Sequence, residues 1–234
     1  MNPNQGVQLL HVVGNIGAGK TTITNLLATR LTAGSVNADD FFQNSERLKR
    51  LFLSDTPRWA FTVELSLAAK RTGLLRRQLA QNPSGLLVVD GGVMISWMHA
   101  RARFESGDMS ADEWAIFSEV FDELVWDDVK ESKVVVVTCS VETLLERIES
   151  RAKVDETRSF EPDAYDWDYL SYLQKGVEAL AAKMKSENMD IFETTVKENG
   201  DVLYNPDDAD RLVHRVTNTL DLTELLPPTT NRSS

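Results

Sequence analysis

Residues 14–22 read GNIGAGKTT, a glycine-rich loop that ends in the Lys-Thr pair of the pattern G-x-x-x-x-G-K-[ST]. A short apolar run at 8–13 precedes this loop, and apolar residues at helical spacing follow it from Lys20 to Leu31. In a strand, loop and helix of this kind, backbone N–H groups turn inward around phosphate oxygens, and the helix N-terminus adds a partial positive charge. The motif therefore predicts a nucleotide-phosphate site, in which Lys20 reaches the β- and γ-phosphates and Thr21 offers its hydroxyl to Mg²⁺.

Every residue of the loop is a candidate for phosphate binding. The candidates are Gly14, Asn15, Ile16, Gly17, Ala18, Gly19, Lys20, Thr21 and Thr22. A glycine-rich turn without function is the alternative, and the strand before the loop and the helix after it disfavour that alternative.

Asp90 ends a second buried strand, at 86–89, and Gly91-Gly92 follow it. Parallel sheets place ligands beyond the carboxyl ends of their strands. A carboxylate at that position accepts a proton from an attacking hydroxyl or holds Mg²⁺ through water. Asp90 is therefore the candidate catalytic base, and a helix-capping Asp in a glycine turn is the structural alternative.

Composition limits the class of protein. The chain has 234 residues, and 25 Lys and Arg against 36 Asp and Glu give a net charge of −11. This acidic balance disfavours a broad nucleic-acid surface, which needs clustered Lys and Arg. No apolar run approaches the ~20 residues of a membrane helix, and the N-terminal stretch lacks the features of a signal peptide. We therefore expect a cytoplasmic enzyme of small anionic substrates, with no membrane partner.

Strands alternate with helices along the chain, which predicts an α/β fold with a parallel sheet covered on both faces. Strands are expected at 8–13, 35–38, 86–89 and 134–138, and helices at 20–31, 41–53, 59–81, 95–105, 111–125, 141–153, 168–185 and 207–220. Residues 154–167 are polar and read as an irregular, mobile loop, Asn199-Gly200 is a hairpin signal, and the tail at 227–234 is expected to be disordered.

Four stretches together resemble the deoxynucleoside kinases, the salvage group related to thymidine and deoxycytidine kinases. They are GNIGAGKTT at 14–22, SDTPRWAFT at 54–62, FESGDMS with the aromatic residues that follow it at 104–117, and VETLLERIESR at 141–151. The resemblance implies a P-loop kinase three-layer fold, here one domain over 1–226, with an arginine-bearing lid at about 147–167. It further implies ATP-dependent transfer of the γ-phosphoryl group to a hydroxyl of a deoxynucleoside, with Mg²⁺.

The lid is the part of the resemblance that concerns catalysis. Arg147 and Arg151 lie four apart on one helix face, and Lys153 follows. The resemblance implies that both arginines clamp the transferring phosphoryl group and that Lys153 helps to hold ATP. It also aligns Glu156 with a glutamate that contacts the sugar in the family. Solvated pairs between these cations and nearby glutamates are the alternative.

The acceptor half departs from the family pattern. A carboxylate, an arginine and a serine are usual after the third strand, whereas this chain has Asp90-Gly91-Gly92. Glu64 stands where the family reads the base with a glutamine, and Ser96 where it has an aspartate. Arg71 matches a family arginine of the base pocket. Glu64 and Arg71, seven apart, share a helix face, where they either bind the acceptor or pair with each other.

Asp39 and Asp40 follow the second strand, where the family has a Glu-Pro-Val motif whose glutamate contacts the acceptor. Either aspartate is a candidate substrate ligand, and an acidic N-cap for the next helix is the alternative. The family is commonly dimeric, so the helices around 95–125 are a candidate homodimer face or part of the core.

The rewritten acceptor half leaves two further hypotheses. The acceptor is a nucleoside monophosphate or a hydroxymethylated base in DNA, although the net charge counts against DNA. Alternatively, the chain is a kinase-derived subunit without catalytic activity, against which the intact Gly19-Lys20-Thr21 argues.

Overall fold

The computed structural model describes residues 6–37, 40–43, 45–82, 85–196 and 205–226, with the side chains of Asp40 and Gln43 left out. The side chains of both candidate substrate aspartates, Asp39 and Asp40, lie outside this description. So do the predicted hairpin at Asn199-Gly200 and the tail at 227–234.

A parallel sheet of five strands organises the described residues. The strands are β1 Val7–Gly14, β2 Gly34–Asn37, β3 Gly85–Asp90, β4 Lys133–Thr138 and β5 Ile191–Thr195, in the order β2-β3-β1-β4-β5. β1, β3 and β4 are apolar runs that are buried along most of their length, as a sheet covered on both faces requires. β1 lies between β3 and β4, with Val12 opposite Asp90 and Gly14 opposite Val137. The glycine loop and Asp90 therefore leave the same edge of the sheet side by side.

Helices pack on this sheet in two groups. They are α1 Lys20–Arg30, α2 Asp40–Gln43, α3 Glu46–Ser54, α4 Thr56–Gln81, α5 Met94–Glu105, α6 Ala111–Phe121, α7 Asp127–Val129, α8 Val141–Ala152, α9 Glu161–Ala164, α10 Trp167–Ser186 and α11 Pro206–Thr219. α1 and α11 contact each other and the sheet, whereas α4 packs on α5 and α5 packs on α10. This arrangement confirms the predicted layered α/β architecture. No helix among the described residues has both the length and the apolar character needed to cross a bilayer.

Three predicted segments differ from the structure. The helix expected at 41–53 is two helices, because the Ser45 side chain accepts a hydrogen bond from the Leu48 N–H and begins α3. The helix expected at 111–125 continues through a π-helical turn to Val129. Residues 154–167 hold a 3₁₀ turn at Glu156–Arg158 and the short helix α9, so the prediction of an irregular loop there was wrong.

Candidate active site

The glycine loop adopts a backbone that only glycine tolerates at several positions. Gly17 and Gly19 have φ of 81° and 91°. A Cβ on Gly14 would lie 2.3 Å from the Val137 carbonyl oxygen of the neighbouring strand. The loop is therefore packed against the end of β4 and turned into the conformation that phosphate cradles use.

Asn15 holds the loop in place rather than facing a ligand. Its side chain is fully buried, accepts a hydrogen bond from the Ile16 N–H at 2.7 Å and donates to the Leu170 carbonyl oxygen at 2.9 Å. This contact joins the loop to α10, so the Asn15 side chain positions the loop, and the predicted phosphate contact of this residue falls to its backbone.

Lys20, Thr21 and Asp90 form the chemical centre of the site. The Lys20 ammonium folds back over the loop and donates to the Asn15 carbonyl oxygen at 3.1 Å. The Thr21 hydroxyl donates to Asp90 Oδ2 at 2.6 Å, and the Asp90 side chain is buried at the end of β3. The structure therefore has the contact between the phosphate loop and the Asp90 carboxylate that a parallel sheet predicts.

Two glycines form the turn after Asp90, where the family usually has an arginine. Gly91 and Gly92 have φ of 66° and 61°, the left-handed region that favours glycine. A Cβ on Gly92 would lie 2.9 Å from Nδ1 of His11, a buried residue of β1. The Gly-Gly turn is thus built into the sheet edge, and it leaves no side chain beside the carboxylate where an arginine is usual.

The lid residues lie on α8 and on the segment that follows it. Arg147 Nη1 donates to the Gly17 carbonyl oxygen at 3.2 Å, which places this guanidinium at the phosphate loop. Arg151 Nε donates to Glu161 Oε2 at 2.6 Å, and Arg158 Nη1 donates to Glu161 Oε1 at 2.9 Å. Glu161 is buried, so this carboxylate links two lid arginines beneath the surface.

Two residues assigned to the lid from the sequence lie outside the cavity of the site. Lys153 is exposed at the end of α8 and is not among the residues that line the cavity of the site, so the prediction that it binds ATP is not supported by its position. Glu156 is also exposed and outside the cavity, whereas Glu161 lines it.

One cavity of about 310 Å³ connects the phosphate loop to the acceptor half. Its lining residues are Ile16, Gly17, Gly19, Lys20, Thr21, Thr22, Asn37, Phe42, Phe52, Glu64, Leu67, Arg71, Ile95, His99, Arg147, Arg151, Arg158, Glu161, Tyr165 and Tyr169. Gly14, Asn15, Ala18 and Asp90 are not among the lining residues, and Asp90 contacts the lining through the Thr21 hydroxyl.

Glu64 and Arg71 are both buried on α4 at the acceptor end of the cavity. Arg71 Nη1 donates to Ser96 Oγ of α5 at 2.7 Å. Glu64 Oε2 has no hydrogen-bond partner among the described residues. Burial raises the pKa of Glu64 to about 7, although the positive charges of Arg103 and Arg71 oppose that rise.

Several residues of the acceptor half escaped the sequence analysis. Arg103 of α5 is buried with its guanidinium carbon 3.9 Å from the ring centre of Tyr169, and it donates to Asp108 at 2.9 Å. His99 Nδ1 lies 3.0 Å from the Tyr169 hydroxyl. Burial, followed by the charges of Arg71, Arg103 and Lys20, holds the pKa of His99 well below its usual range, so the imidazole is neutral.

No local pattern could have found this group, because its members come from α5 and α10. The one usable signal was Arg103 itself, an arginine within a helix whose other members are mostly apolar. Such a residue is buried only when it has partners, which here are a carboxylate and aromatic rings.

Comparison with known proteins identifies the family of this chain. The family model for deoxynucleoside kinases matches residues 10–221. The chain belongs to the deoxynucleoside kinase family. The matched range includes the phosphate loop, Asp90, α8 with its two arginines, and Glu64 and Arg71 of α4.

Relatives within the family are distant in sequence. A deoxyguanosine kinase of Bacillus subtilis is 22% identical over 207 residues, covering 88% of this chain and 94% of the relative. A deoxyadenosine kinase of Lactobacillus acidophilus is 22% identical over 168 residues, covering 69% of this chain and 74% of the relative. A solved deoxyadenosine kinase from M. mycoides with bound dCTP superposes with a TM-score of 0.67 at 13% identity, covering 90% of this chain and 100% of that one. At that identity the superposition shows the P-loop kinase fold.

Proposed function

We propose that this kinase transfers the γ-phosphoryl group of ATP to a hydroxyl of a deoxynucleoside. The observation that carries the proposal is the hydrogen bond between Thr21 and Asp90, because it joins the phosphate loop to the carboxylate beside one cavity that continues into a buried acceptor pocket. The names of the relatives support the substrate class, since they are described as deoxyguanosine, deoxyadenosine and, in fowlpox virus, probable deoxycytidine kinases.

The residues at this junction fit Mg²⁺. A hydroxyl and a carboxylate whose oxygens lie 2.6 Å apart supply hard oxygen ligands, and Mg²⁺ is usually bound by one or two carboxylates together with waters and substrate phosphates. Among the described residues no cluster of His, Cys, Asp and Glu forms a separate metal site. We assign the Thr21 hydroxyl to the cation, which when bound would neutralise charge that develops on the phosphates, and we keep Asp90 as the proton acceptor.

Each side chain then has a distinct task in transfer. Lys20 and the N–H groups of the loop hold the β- and γ-phosphates. Asp90 accepts the proton of the acceptor hydroxyl, whose oxygen bonds to the γ-phosphorus while the bond from that phosphorus to ADP breaks. Arg147 and Arg151 stabilise the negative charge of the transferring group, because they enter the cavity from the lid. With the lid over the phosphates, water is excluded and ATP hydrolysis is suppressed.

The test is phosphate transfer from γ-labelled ATP with Mg²⁺ to an acceptor panel. The panel holds the four deoxynucleosides, their monophosphates, and DNA with and without hydroxymethylated bases. We expect label on a free deoxynucleoside. Label only on a monophosphate or on DNA would show that the acceptor has been replaced, and ATP binding without transfer to any acceptor would contradict the proposal.

A pair of matched variants tests the assigned residues. Lys20→Ala removes the ammonium at the phosphates and is expected to abolish transfer through loss of ATP binding. Lys130→Ala is the control, because that lysine is an exposed partner of Asp127 and does not line the cavity. Equal activity of the two variants would contradict the role of Lys20.

A further inference from the structure

A buried carboxylate without a partner faces the acceptor pocket. Glu64 is 3% exposed, lines the cavity, and its Oε2 has no hydrogen-bond partner among the described residues. A buried acceptor that finds no donor costs free energy. The pocket is therefore incomplete until a ligand brings N–H groups to this oxygen.

The surroundings of Glu64 define what such a ligand must offer. Arg71 lies two turns further on the same face of α4, and its guanidinium is tied to Ser96 at 2.7 Å. An arginine carries five N–H donors and no acceptor, whereas an ionised carboxylate only accepts. One face of α4 thus presents the two acceptor oxygens of Glu64 and the cationic N–H donors of Arg71 to the pocket. The rings of Phe52 and Tyr169 line the same pocket.

Among the four bases, guanine matches this pattern best. Its N1–H and N2–H₂ are adjacent donors, which a carboxylate can accept side by side, and its O6 and N7 are acceptors for an arginine. Adenine sets one acceptor, N1, beside its N6–H₂ donor, and cytosine sets N3 beside N4–H₂. Either base would place a ring-nitrogen lone pair against the second carboxylate oxygen. Thymine offers a single N–H between two carbonyl oxygens.

We propose that the acceptor pocket selects guanine, with Glu64 accepting from N1–H and N2–H₂ and Arg71 donating to O6 or N7. This selection rests on the proposed function, since it names the deoxynucleoside that the kinase phosphorylates. The charged and titratable groups that act on Glu64 are Arg71 on α4, Arg103 on α5 and Tyr169 on α10. The two arginines favour the ionised carboxylate, and so do the N–H donors of the bound base.

The first test compares substrates with the unaltered enzyme. kcat/KM is measured at pH 8 for deoxyguanosine, deoxyinosine, deoxyadenosine and deoxycytidine. A bidentate base contact discriminates by roughly 10- to 100-fold, so deoxyguanosine is expected to exceed deoxyadenosine and deoxycytidine by that factor. Deoxyinosine keeps N1–H but lacks the 2-amino group, and it is expected to fall between deoxyguanosine and deoxyadenosine.

The second test exchanges the hydrogen-bonding pattern of one side chain. In Glu64→Gln the amide both donates and accepts, so it pairs with N1 and N6–H₂ of adenine, whereas against N1–H and N2–H₂ of guanine its NH₂ group meets a donor where the carboxylate offered a second acceptor oxygen. We expect kcat/KM to fall for deoxyguanosine and rise for deoxyadenosine, which loss of structure would not produce. Glu119→Gln is the matched control, because that carboxylate is exposed on α6 and lies outside the cavity.

The outcomes separate the two proposals. Deoxyadenosine or deoxycytidine used as well as deoxyguanosine, or equal rates with deoxyinosine and deoxyguanosine, would overturn guanine selection while the kinase assignment stands. A Glu64→Gln enzyme with unchanged base preference would also overturn it. Transfer to none of the deoxynucleosides, with ATP still bound, would overturn the proposed function and the selection together.

Discussion

Glu64→Gln should change how the stability of the protein depends on pH. The ordinary pKa of this carboxyl is 4.5, and burial raises it to about 7 in the folded protein. Because the folded-state pKa is the higher one, the folded state favours the proton. The resulting stabilisation is complete below pH 4.5 and is lost as pH rises to about 7. Since one pKa unit is 1.36 kcal/mol, the whole change is about 3 kcal/mol, and most of it falls between pH 5 and pH 8.

The assay is urea unfolding of the ligand-free enzyme at both pH values, for the native protein and for Glu64→Gln. The glutamine does not titrate, so the free energy of unfolding of the variant should gain about 2–3 kcal/mol relative to that of the native protein between pH 5 and pH 8. In this double difference, the contributions of all other titrating groups to the free energy of unfolding cancel, because both proteins contain them. Glu119→Gln, a change at an exposed carboxylate of α6, is measured alongside as the control.

A double difference below about 0.5 kcal/mol would contradict the raised pKa of Glu64 in the folded protein. It would mean that the carboxyl is solvated or already paired in the free enzyme. The account of Glu64 as a buried acceptor that awaits a ligand would then fail with it.

Other predictions concern the loop, the long helix and the pH profile of activity. Gly14→Ala places a Cβ 2.3 Å from the Val137 carbonyl oxygen and should destabilise the fold by about 1–3 kcal/mol and weaken ATP binding, as thermal unfolding and nucleotide titration would show. Gly73→Ala inside α4 is the control, because a Cβ there contacts only the end of the Arg77 side chain, at 3.4 Å. This change should stabilise the fold by about 0.5–1 kcal/mol, and a destabilised variant would contradict the space that the structure shows at Gly73. kcat/KM for deoxyguanosine should rise with pH through about 7, because the ionised Glu64 is the form that accepts hydrogen bonds from the base. In Glu64→Gln this rise should be absent, and a native profile without the rise would show that the carboxylate does not bind the base.

The donor half of the site could be predicted because its geometry is local. The loop, its helix and the strand before it are contiguous in the chain. The position of Asp90 beside Thr21 follows from the rule that parallel strands end at one sheet edge. These two facts suffice to place the phosphate loop and the candidate base from the amino-acid sequence alone.

The acceptor half could not be predicted in the same way. The contacts of Arg103 with Tyr169, and of Arg71 with Ser96, join helices that are far apart in the chain. Neither periodicity nor motif spacing encodes which helices meet. The prediction of an irregular loop at 154–167 failed for a different, local reason. A proline near the start of α9 and the Asp155 side chain, which accepts from the Thr157 N–H, order a segment whose composition is typical of a loop.

The most direct test of the account is one comparison of the native enzyme with Asp90→Asn. γ-Labelled ATP, Mg²⁺ and the four deoxynucleosides are supplied to both, and ATP binding is measured in parallel. We expect the native enzyme to label a deoxynucleoside. The variant should bind ATP but transfer at least about 100-fold more slowly, since general base catalysis is worth about 10²–10⁴ in rate. Transfer by Asp90→Asn at the native rate would contradict the assignment of the base and, with it, the mechanism built on the contact between Thr21 and Asp90.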